Sequence, residues 1–368
     1  MLSNEKRAEL DQIAQRVLQQ LDGVPHEDLI QRLMASVLRM SSDNRRADLK
    51  IATSALEEME HAFDILECFY HRRKVSIFGS ARSRPDSEIY RQTREFSRQM
   101  AAQEYMVVTG AGPGVMAAGN EGAGRQNSFG LGIKLPFETG SNEFIAGDFK
   151  DISFKYFFTR KLAFLKDSHA VVCFPGGFGT LDEAFETLTL IQTGKAQLMP
   201  VVCLAPEGNP FWENWDRYIR ETMLDQGMIS AEDLSLYKVT HSVEEAVDEV
   251  CQFYRRYHSY RFLNEKMMVR LTSPVTLSEL DFLNTEFSDI VETGRIESAE
   301  SPHGEQFDQS LESLPALTFV FKWGRYGRLR EMINWLNERA TDCPTIAPEH
   351  GEGGRLPVET DRSNGVYH

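Results

Sequence analysis

Apolar residues change their spacing along this chain, and three regions follow from the change. In residues 1–70 they recur at helical spacing, as at Leu33 and Val37, which predicts amphipathic helices and an N-terminal helical arm. Residues 71–257 alternate short apolar runs with amphipathic segments. Residues 258–340 lose this alternation and predict a small α+β appendage.

The middle region has the pattern of a doubly wound α/β fold. Its apolar runs are mostly five or six residues long, which is typical of strands buried on both faces of a parallel sheet. The predicted strands are 74–78, 105–109, 129–135, 170–174 and 199–204. The predicted helices are 87–103, 157–166, 180–192 and 209–223. The alternation of strands and helices along the chain predicts a Rossmann-like domain with helices on both faces of the sheet.

The appendage is predicted from a few local patterns. Strands are expected at 267–271 and 316–323, with a helix at 278–292 between them and a last helix at 326–338. The end of the chain, 341–368, is rich in Gly, Pro and charged residues and is predicted to be a disordered tail.

Charge and composition exclude several classes of function. The net charge of −15 opposes binding to nucleic acid, although local N–H groups and cations can still hold a small phosphorylated ligand. No apolar run is long enough to cross a membrane, and the first twenty residues do not resemble a secretory signal. The five scattered cysteines suggest neither disulfides nor a metal site, so we expect a cytoplasmic protein without a metal.

Glycine-rich turns follow three of the predicted strands. The carboxyl ends of parallel strands share one edge, where ligands bind, and glycine lets the backbone approach a phosphate closely. We therefore expect a phosphate-binding site at this edge. Its predicted binding residues are Gly79, Ser80, Gly112, Gly114, Gly176, Gly177, Gly179 and Thr180.

The third turn, 175–183, reads PGGFGTLDE and is the most specific of the three. Thr180 is expected to cap the following helix and to donate its hydroxyl to an anion. Glu183 follows three residues later, so it is either a catalytic carboxylate or the partner of Thr180 in a capping box. Asp182 is expected to be a solvated acid in the first helical turn.

Two basic residues precede this turn. Arg160 and Lys161 lie on the predicted helix 157–166, which packs against the sheet and can direct Arg160 to the same edge. The alternative for Arg160 is a solvated position on the helix surface.

Dinucleotide and triphosphate sites fit the pattern less well. The second turn has the spacing GxGxG, where an NAD-binding turn has GxGxxG, and the only nearby acid for a ribose is Glu138. The chain has no GxxxxGK[ST] motif, which a P-loop nucleotide triphosphatase requires.

The pair Arg160-Lys161 followed by PGGFGTLDE resembles the Lonely Guy family of cytokinin-activating phosphoribohydrolases, many of them long labelled lysine decarboxylases. The resemblance covers about 74–204 and includes FGSAR at 78–82 and TGAGPGVM at 109–116. The layout of the flanking regions is similar to that of the longer bacterial nucleotide 5′-monophosphate nucleosidases. Phe157 and Phe158 stand where the family commonly has Met and His, so cytokinin specificity is not transferred.

The resemblance implies catalytic roles for Arg160 and Glu183 and phosphate binding by the glycine turns, to which we add Lys161. It also implies a homodimer or higher homo-oligomer with sites near the subunit interface. The expected reaction is hydrolysis of the N-glycosidic bond of a nucleoside 5′-monophosphate, without a cofactor. Glu183 would stabilise the positive sugar ring and orient or deprotonate water, and Arg160 would act by electrostatics and positioning.

Two alternatives remain. Decarboxylation with pyridoxal phosphate would need a Schiff-base lysine, for which Lys161 is the only candidate near the motif. A non-catalytic nucleotide-binding or carrier protein would need the phosphate turns, but it would not need the pair Arg160 and Glu183.

Overall fold

The computed structural model describes most of the chain. The described residues are 3–20, 23–41, 45–136, 140–300 and 314–340. The predicted tail, 341–368, lies outside them, as does Glu138. Tertiary contacts divide the chain into two compact units, Met1–Glu60 and His61–His368. The predicted domain boundaries after residues 70, 257 and 340 stay predictions.

The first unit is helical, as its apolar spacing predicts. It contains α1 (Asn4–Leu18), α2 (Glu27–Met40) and most of α3 (Arg46–Glu67). Ser3 caps α1 by accepting a hydrogen bond from the backbone N–H of Lys6 at 3.2 Å, which satisfies a donor that the helix leaves unpaired.

The second unit is built on a seven-stranded parallel sheet, counted over the described residues. The strands are β1 (Lys74–Phe78), β2 (Met106–Thr109), β3 (Ser128–Ile133), β4 (Asp151–Phe154), β5 (Ala170–Cys173), β6 (Val201–Leu204) and β7 (Lys238–Thr240). Their order is β4-β3-β2-β1-β5-β6-β7, so that β1 lies in the middle. This arrangement confirms the predicted Rossmann-like α/β fold.

Helices cover both faces of this sheet. They are α4 (Glu88–Ala102), α5 (Val115–Ala123), α6 (Phe157–Lys166), α7 (Phe178–Gln192), α8 (Phe211–Tyr218, continued by a π-helical segment to Leu224) and α9 (Val243–Phe253). Val75 and Ile77 of β1 share a core with α4 and α9, whereas Phe78 joins the core that includes α6 and α7. The fully buried strands therefore contribute apolar side chains to two cores, as the doubly wound pattern requires.

In its described residues, the appendage is a four-stranded antiparallel sheet with two helices. Its elements are β8 (Tyr257–Leu263), β9 (Lys266–Leu271), α10 (Leu277–Glu286), β10 (Val291–Glu300), β11 (Pro315–Phe321) and α11 (Tyr326–Glu338). The strand order is β10-β11-β9-β8. The amide oxygen of Asn337 accepts from the backbone N–H groups of Arg256 and Tyr257 at 2.9 Å each, which joins α11 to the start of β8.

Several element predictions are wrong. The helix predicted at 278–292 ends at Glu286, and β10 begins at Val291. The elements β4, β7, β8, β10, α5 and α9 were not predicted from the sequence. In the described ranges, no helix is both long and apolar enough to cross a membrane.

Candidate active site

A cavity of about 730 Å³ opens at the carboxyl end of the central strands. It lies where β1, β2 and β5 run into their glycine turns, the edge that the sequence predicts for the ligand. The residues that line it are Ile77, Phe78, Gly79, Ser80, Ala81, Arg82, Gly110, Met116, Phe157, Arg160, Gly176, Gly177, Phe178, Gly179, Thr180, Leu181, Asp182 and Glu183.

Backbone hydrogen bonds join the three glycine turns. The N–H of Ser80 donates to the carbonyl of Pro175 at 3.2 Å, and the N–H of Val115 donates to the carbonyl of Ser80 at 3.0 Å. Gly114 precedes α5 with a φ of +68°, and a Cβ at this position would overlap the carbonyl of Ser80. Gly114 therefore supports the cavity wall from behind and is not one of the lining residues, and Gly112 is not one either.

The N-terminus of α7 faces the cavity. Gly177, in an extended conformation, is the N-cap, and the helix begins at Phe178. The N–H groups of a first helical turn have no partner within the helix and carry its positive dipole end, so they suit an anion. The prediction that Thr180 caps this helix is wrong, because the helix begins at Phe178, two residues before Thr180, and Thr180 lies inside its first turn.

Arg160 reaches the cavity from α6. Its Nε donates to the carbonyl of Leu131 in β3 at 2.7 Å, and its guanidinium lies 5.1 Å from the ring centre of Phe164. A Cβ on Gly110 would overlap Nη2 of Arg160, so the glycine after β2 leaves room for the guanidinium. The helix thus directs Arg160 to the predicted edge.

Glu183 is the buried carboxyl group of the cavity. Only 7% of its side chain is exposed, and its Oε2 has no hydrogen-bond donor among the described residues. Burial raises the pKa of Glu183 to about 7, while Lys161 and Arg160 act in the opposite direction. The carboxyl group is therefore close to half ionised at neutral pH and can accept a proton there.

Glu183 does not form the capping box that was the alternative for it. Because α7 begins at Phe178, Glu183 lies in the second helical turn, and its Oε1 faces the ammonium group of Lys161 at 3.5 Å. Asp182 is largely exposed, as expected, but it lies beyond the first turn and contacts Lys161.

Lys161 contacts carboxyl groups of α7. It is not among the lining residues, and its Nζ lies 2.5 Å from Glu186 and 2.8 Å from Asp182. These carboxylates raise the pKa of Lys161 although burial acts against them. Phosphate binding by Lys161 stays a prediction, and this amino group is already shared by carboxylates of α7.

Several side chains of the cavity were not predicted as site residues, among them Arg82, Met116 and Phe178. Arg82 brings a second guanidinium and is exposed, and Met116 and Phe178 add apolar surface, as does Phe157. Arg82 could have been found, because it directly follows the first glycine turn on the same edge of the sheet. Among the described residues, no group of three or more His, Cys, Asp or Glu side chains is placed to hold a metal ion.

Residues 114–250 match the family model described as "Possible lysine decarboxylase". This match confirms the resemblance to the Lonely Guy family over that segment, a little over a third of the chain. No curated protein matches the chain significantly.

Solved structures also resemble the chain. One is TM1055, a Northeast Structural Genomics Consortium target (24% identity, 49% of this chain and 99% of that chain, TM-score 0.36). A second is the molybdenum cofactor binding protein of Rippkaea orientalis (17% identity, 48% of this chain and 94% of that chain, TM-score 0.34). A third is the Moco carrier protein of Chlamydomonas reinhardtii (19% identity, 49% of this chain and 96% of that chain, TM-score 0.35). At these identities and TM-scores, none of the three decides the activity of this chain.

Proposed function

On the premise that residues 114–250 carry a Lonely Guy-family domain, we propose that this chain hydrolyses the N-glycosidic bond of a nucleoside 5′-monophosphate. The observation that carries the proposal is that Glu183 and Arg160 line the same cavity as the N-terminus of α7. A buried carboxyl can activate water and stabilise the positive sugar ring, while a guanidinium and an anion-binding helix end can position the phosphorylated substrate.

The 5′-phosphate would bind at the start of α7. Gly177, Gly179 and Thr180 line the cavity there, and the helix end offers N–H groups and a positive dipole. Ser80 and Arg82 lie on the neighbouring turn, where a hydroxyl and a guanidinium can reach the same phosphate. Phosphate held in this way fixes the sugar relative to Glu183 and reduces the entropic cost of reaching the transition state.

Glu183 would act on water and on the sugar. As the bond between C1′ and the base nitrogen breaks, its electron pair leaves with the base and positive charge develops on the ring. The ionised carboxylate stabilises that charge, accepts a proton from the water that attacks C1′, and then releases the proton to the departing base or to solvent. Arg160 is permanently protonated and contributes electrostatics and positioning.

Decarboxylation through a lysine Schiff base does not fit this site. The reaction needs a neutral amine, but Lys161 is held as an ammonium group by Asp182, Glu183 and Glu186. The description of the family model therefore does not describe chemistry that Lys161 is placed to perform.

We also infer a homodimer or higher homo-oligomer. Phe178 is 95% exposed and Phe157 and Phe158 are about half exposed, and two of the three line the cavity. Exposed apolar surface of this kind is characteristic of an interface, and a partner subunit would cover it.

The deciding experiment is incubation with a panel of nucleoside monophosphates, beginning with AMP, and chromatographic separation of the products. We expect free base and ribose 5-phosphate, and Glu183→Gln should reduce the rate by about 100-fold or more. Glu95→Gln is the control, because it removes a half-buried carboxylate of α4 outside the cavity. Monophosphate binding without any free base would instead support a carrier protein.

A further inference from the structure

A cluster of four charged residues lies between α6 and α7. The Nζ of Lys161 is 2.5 Å from Oε2 of Glu186, 2.8 Å from Oδ2 of Asp182 and 3.5 Å from Oε1 of Glu183. Only 16% of the lysine side chain is exposed. One cation therefore serves three carboxyl groups, and Glu183 has the longest contact with it.

The three carboxyl groups come from neighbouring positions on α7. Glu186 lies one turn beyond Asp182 and Glu183, so all three side chains can face the same point on α6. Lys161 also follows Arg160 directly, and the two side chains have different tasks: Arg160 is bonded to Leu131 in the sheet, while Lys161 faces α7.

We propose that Lys161 is a positioning residue that acts through Glu183, because its charge holds the carboxyl at the cavity while Asp182 and Glu186 take its two shortest contacts. Glu183 is thereby left near a cation without a short hydrogen bond to it, and so keeps the ability to accept a proton. This inference rests on the proposed function, in which Glu183 is the proton acceptor.

The charges around Glu183 act in opposite directions. Lys161 and Arg160 of α6 favour its ionised form, whereas burial, Glu186 and Asp182 favour its protonated form. Cys173 of β5 also faces it, and burial keeps this thiol neutral by raising its pKa. A short, exclusive bond to Lys161 would instead lower the pKa of Glu183 and make it a poor base.

Substitutions on the two helices should therefore shift the protonation of Glu183 in opposite directions. Lys161→Met removes the cation and should raise the midpoint of the Glu183 titration by about one pH unit or more. Glu186→Gln removes a competing carboxylate and should lower it by about half a unit or more, and Asp182→Asn should lower it less because its side chain is 63% exposed. Lys161→Arg keeps the charge and should largely restore the wild-type midpoint.

Two measurements on the full chain test this. One is the carbon-13 NMR titration of glutamate side-chain carboxyls, in which the Glu183 signal is assigned by its loss in Glu183→Gln. The other is kcat/KM for AMP against pH. At pH 6, Lys161→Met should lose about tenfold more activity than Lys161→Arg, because a one-unit shift changes the ionised fraction tenfold there.

Opposite NMR shifts for Lys161→Met and Glu186→Gln would support the proposal, even if AMP and the other monophosphates are not hydrolysed. In that case the proposed function fails and the tuning of Glu183 stands. Equal directions of shift, or no shift in either variant, would overturn it. If Lys161→Met does not fold, the test rests on Glu186→Gln and Asp182→Asn. Both should lower the midpoint of the Glu183 titration, and the absence of these shifts would overturn the proposal.

Discussion

Asp182 and Glu183 are adjacent in the chain but meet different surroundings. The Asp182 side chain is 63% exposed, while that of Glu183 is 7% exposed, because successive positions on α7 point in directions about 100° apart. Water stabilises the charge of the first carboxylate and is excluded from the second. Burial, more than residue type, therefore makes Glu183 the candidate base.

The pH dependence of the reaction follows from the pKa of Glu183. Since its ionised form is the one that accepts a proton, kcat/KM for AMP should fall about tenfold per pH unit below a midpoint near 7. The measurement is the initial rate of base release between pH 5 and 9. If kcat/KM of Glu183→Gln still falls below pH 7 in the same way, the titration belongs to another group.

Glu183 should also destabilise the folded protein at high pH. Its pKa is raised from 4.5 to about 7, so the folded state binds more protons than the unfolded state between these values, and stability falls as the pH rises through this window. Glu183→Gln avoids this cost, which amounts to at most about 3 kcal/mol. Urea unfolding should find the variant more stable than wild type at pH 8 and the difference much smaller at pH 5, whereas a pH-independent difference would contradict the assignment.

At the residue scale, the sequence was sufficient to bring Arg160 and Glu183 to one edge of the sheet. It was not sufficient to locate the start of α7, because TLDE has the pattern of a capping box while Gly177 takes the cap position. Nor could it show that Lys161 faces α7, since that depends on how two helices pack.

At the element scale, the continuous apolar runs of the central strands were predicted well and weakly patterned elements were missed. β4 (DISF) and β7 (KVT) are edge strands whose polar residues interrupt the apolar run by which the central strands were recognised. α5 contains three alanines and two glycines, and small residues give little amphipathic contrast. The helix predicted to reach 292 ends at Glu286, and a short 3₁₀ segment leads into β10.

The turn before α5 gives a prediction with a matched control. Gly114 and Gly124 both have positive φ, but a Cβ on Gly114 would overlap the carbonyl of Ser80, whereas a Cβ on Gly124 meets nothing within 4 Å. Gly114→Ala should therefore lose about 2 kcal/mol more stability than Gly124→Ala and should also weaken AMP turnover. Equal losses in urea unfolding would show that the close approach of the two turns is unimportant.

At the scale of the molecule, an acidic chain contains a local site that suits an anion. The chain carries −15, yet Arg82 and Arg160 line the cavity beside Asp182 and Glu183, and the positive end of α7 faces it. The net charge did not exclude a small phosphorylated ligand, because a phosphate needs only a few nearby donors, and the glycine-rich turns predicted where those donors lie. It gave no information on which side chains would form the walls.

The exposed aromatic side chains predict the state of assembly. Light scattering should find twice the 41.9 kDa chain mass or a higher multiple, because a partner would cover Phe158 and its neighbours. Phe158→Ser should weaken the assembly, while Leu277→Ser, which removes an isolated exposed leucine of the appendage, should not. A wild-type protein with the mass of one chain at micromolar concentration would contradict the prediction.

The central place of β1 limits how this protein can be cut. The segment that matches the family model starts after β2, so an excised fragment of residues 114–250 retains β3 with β4 and β5 with β6 and β7. The two strands that join these groups would be missing, and α6 and α7, which carry Arg160 and Glu183, would lose their common platform. Such a fragment should aggregate or stay unfolded, so an autonomous catalytic core has to begin upstream of Lys74.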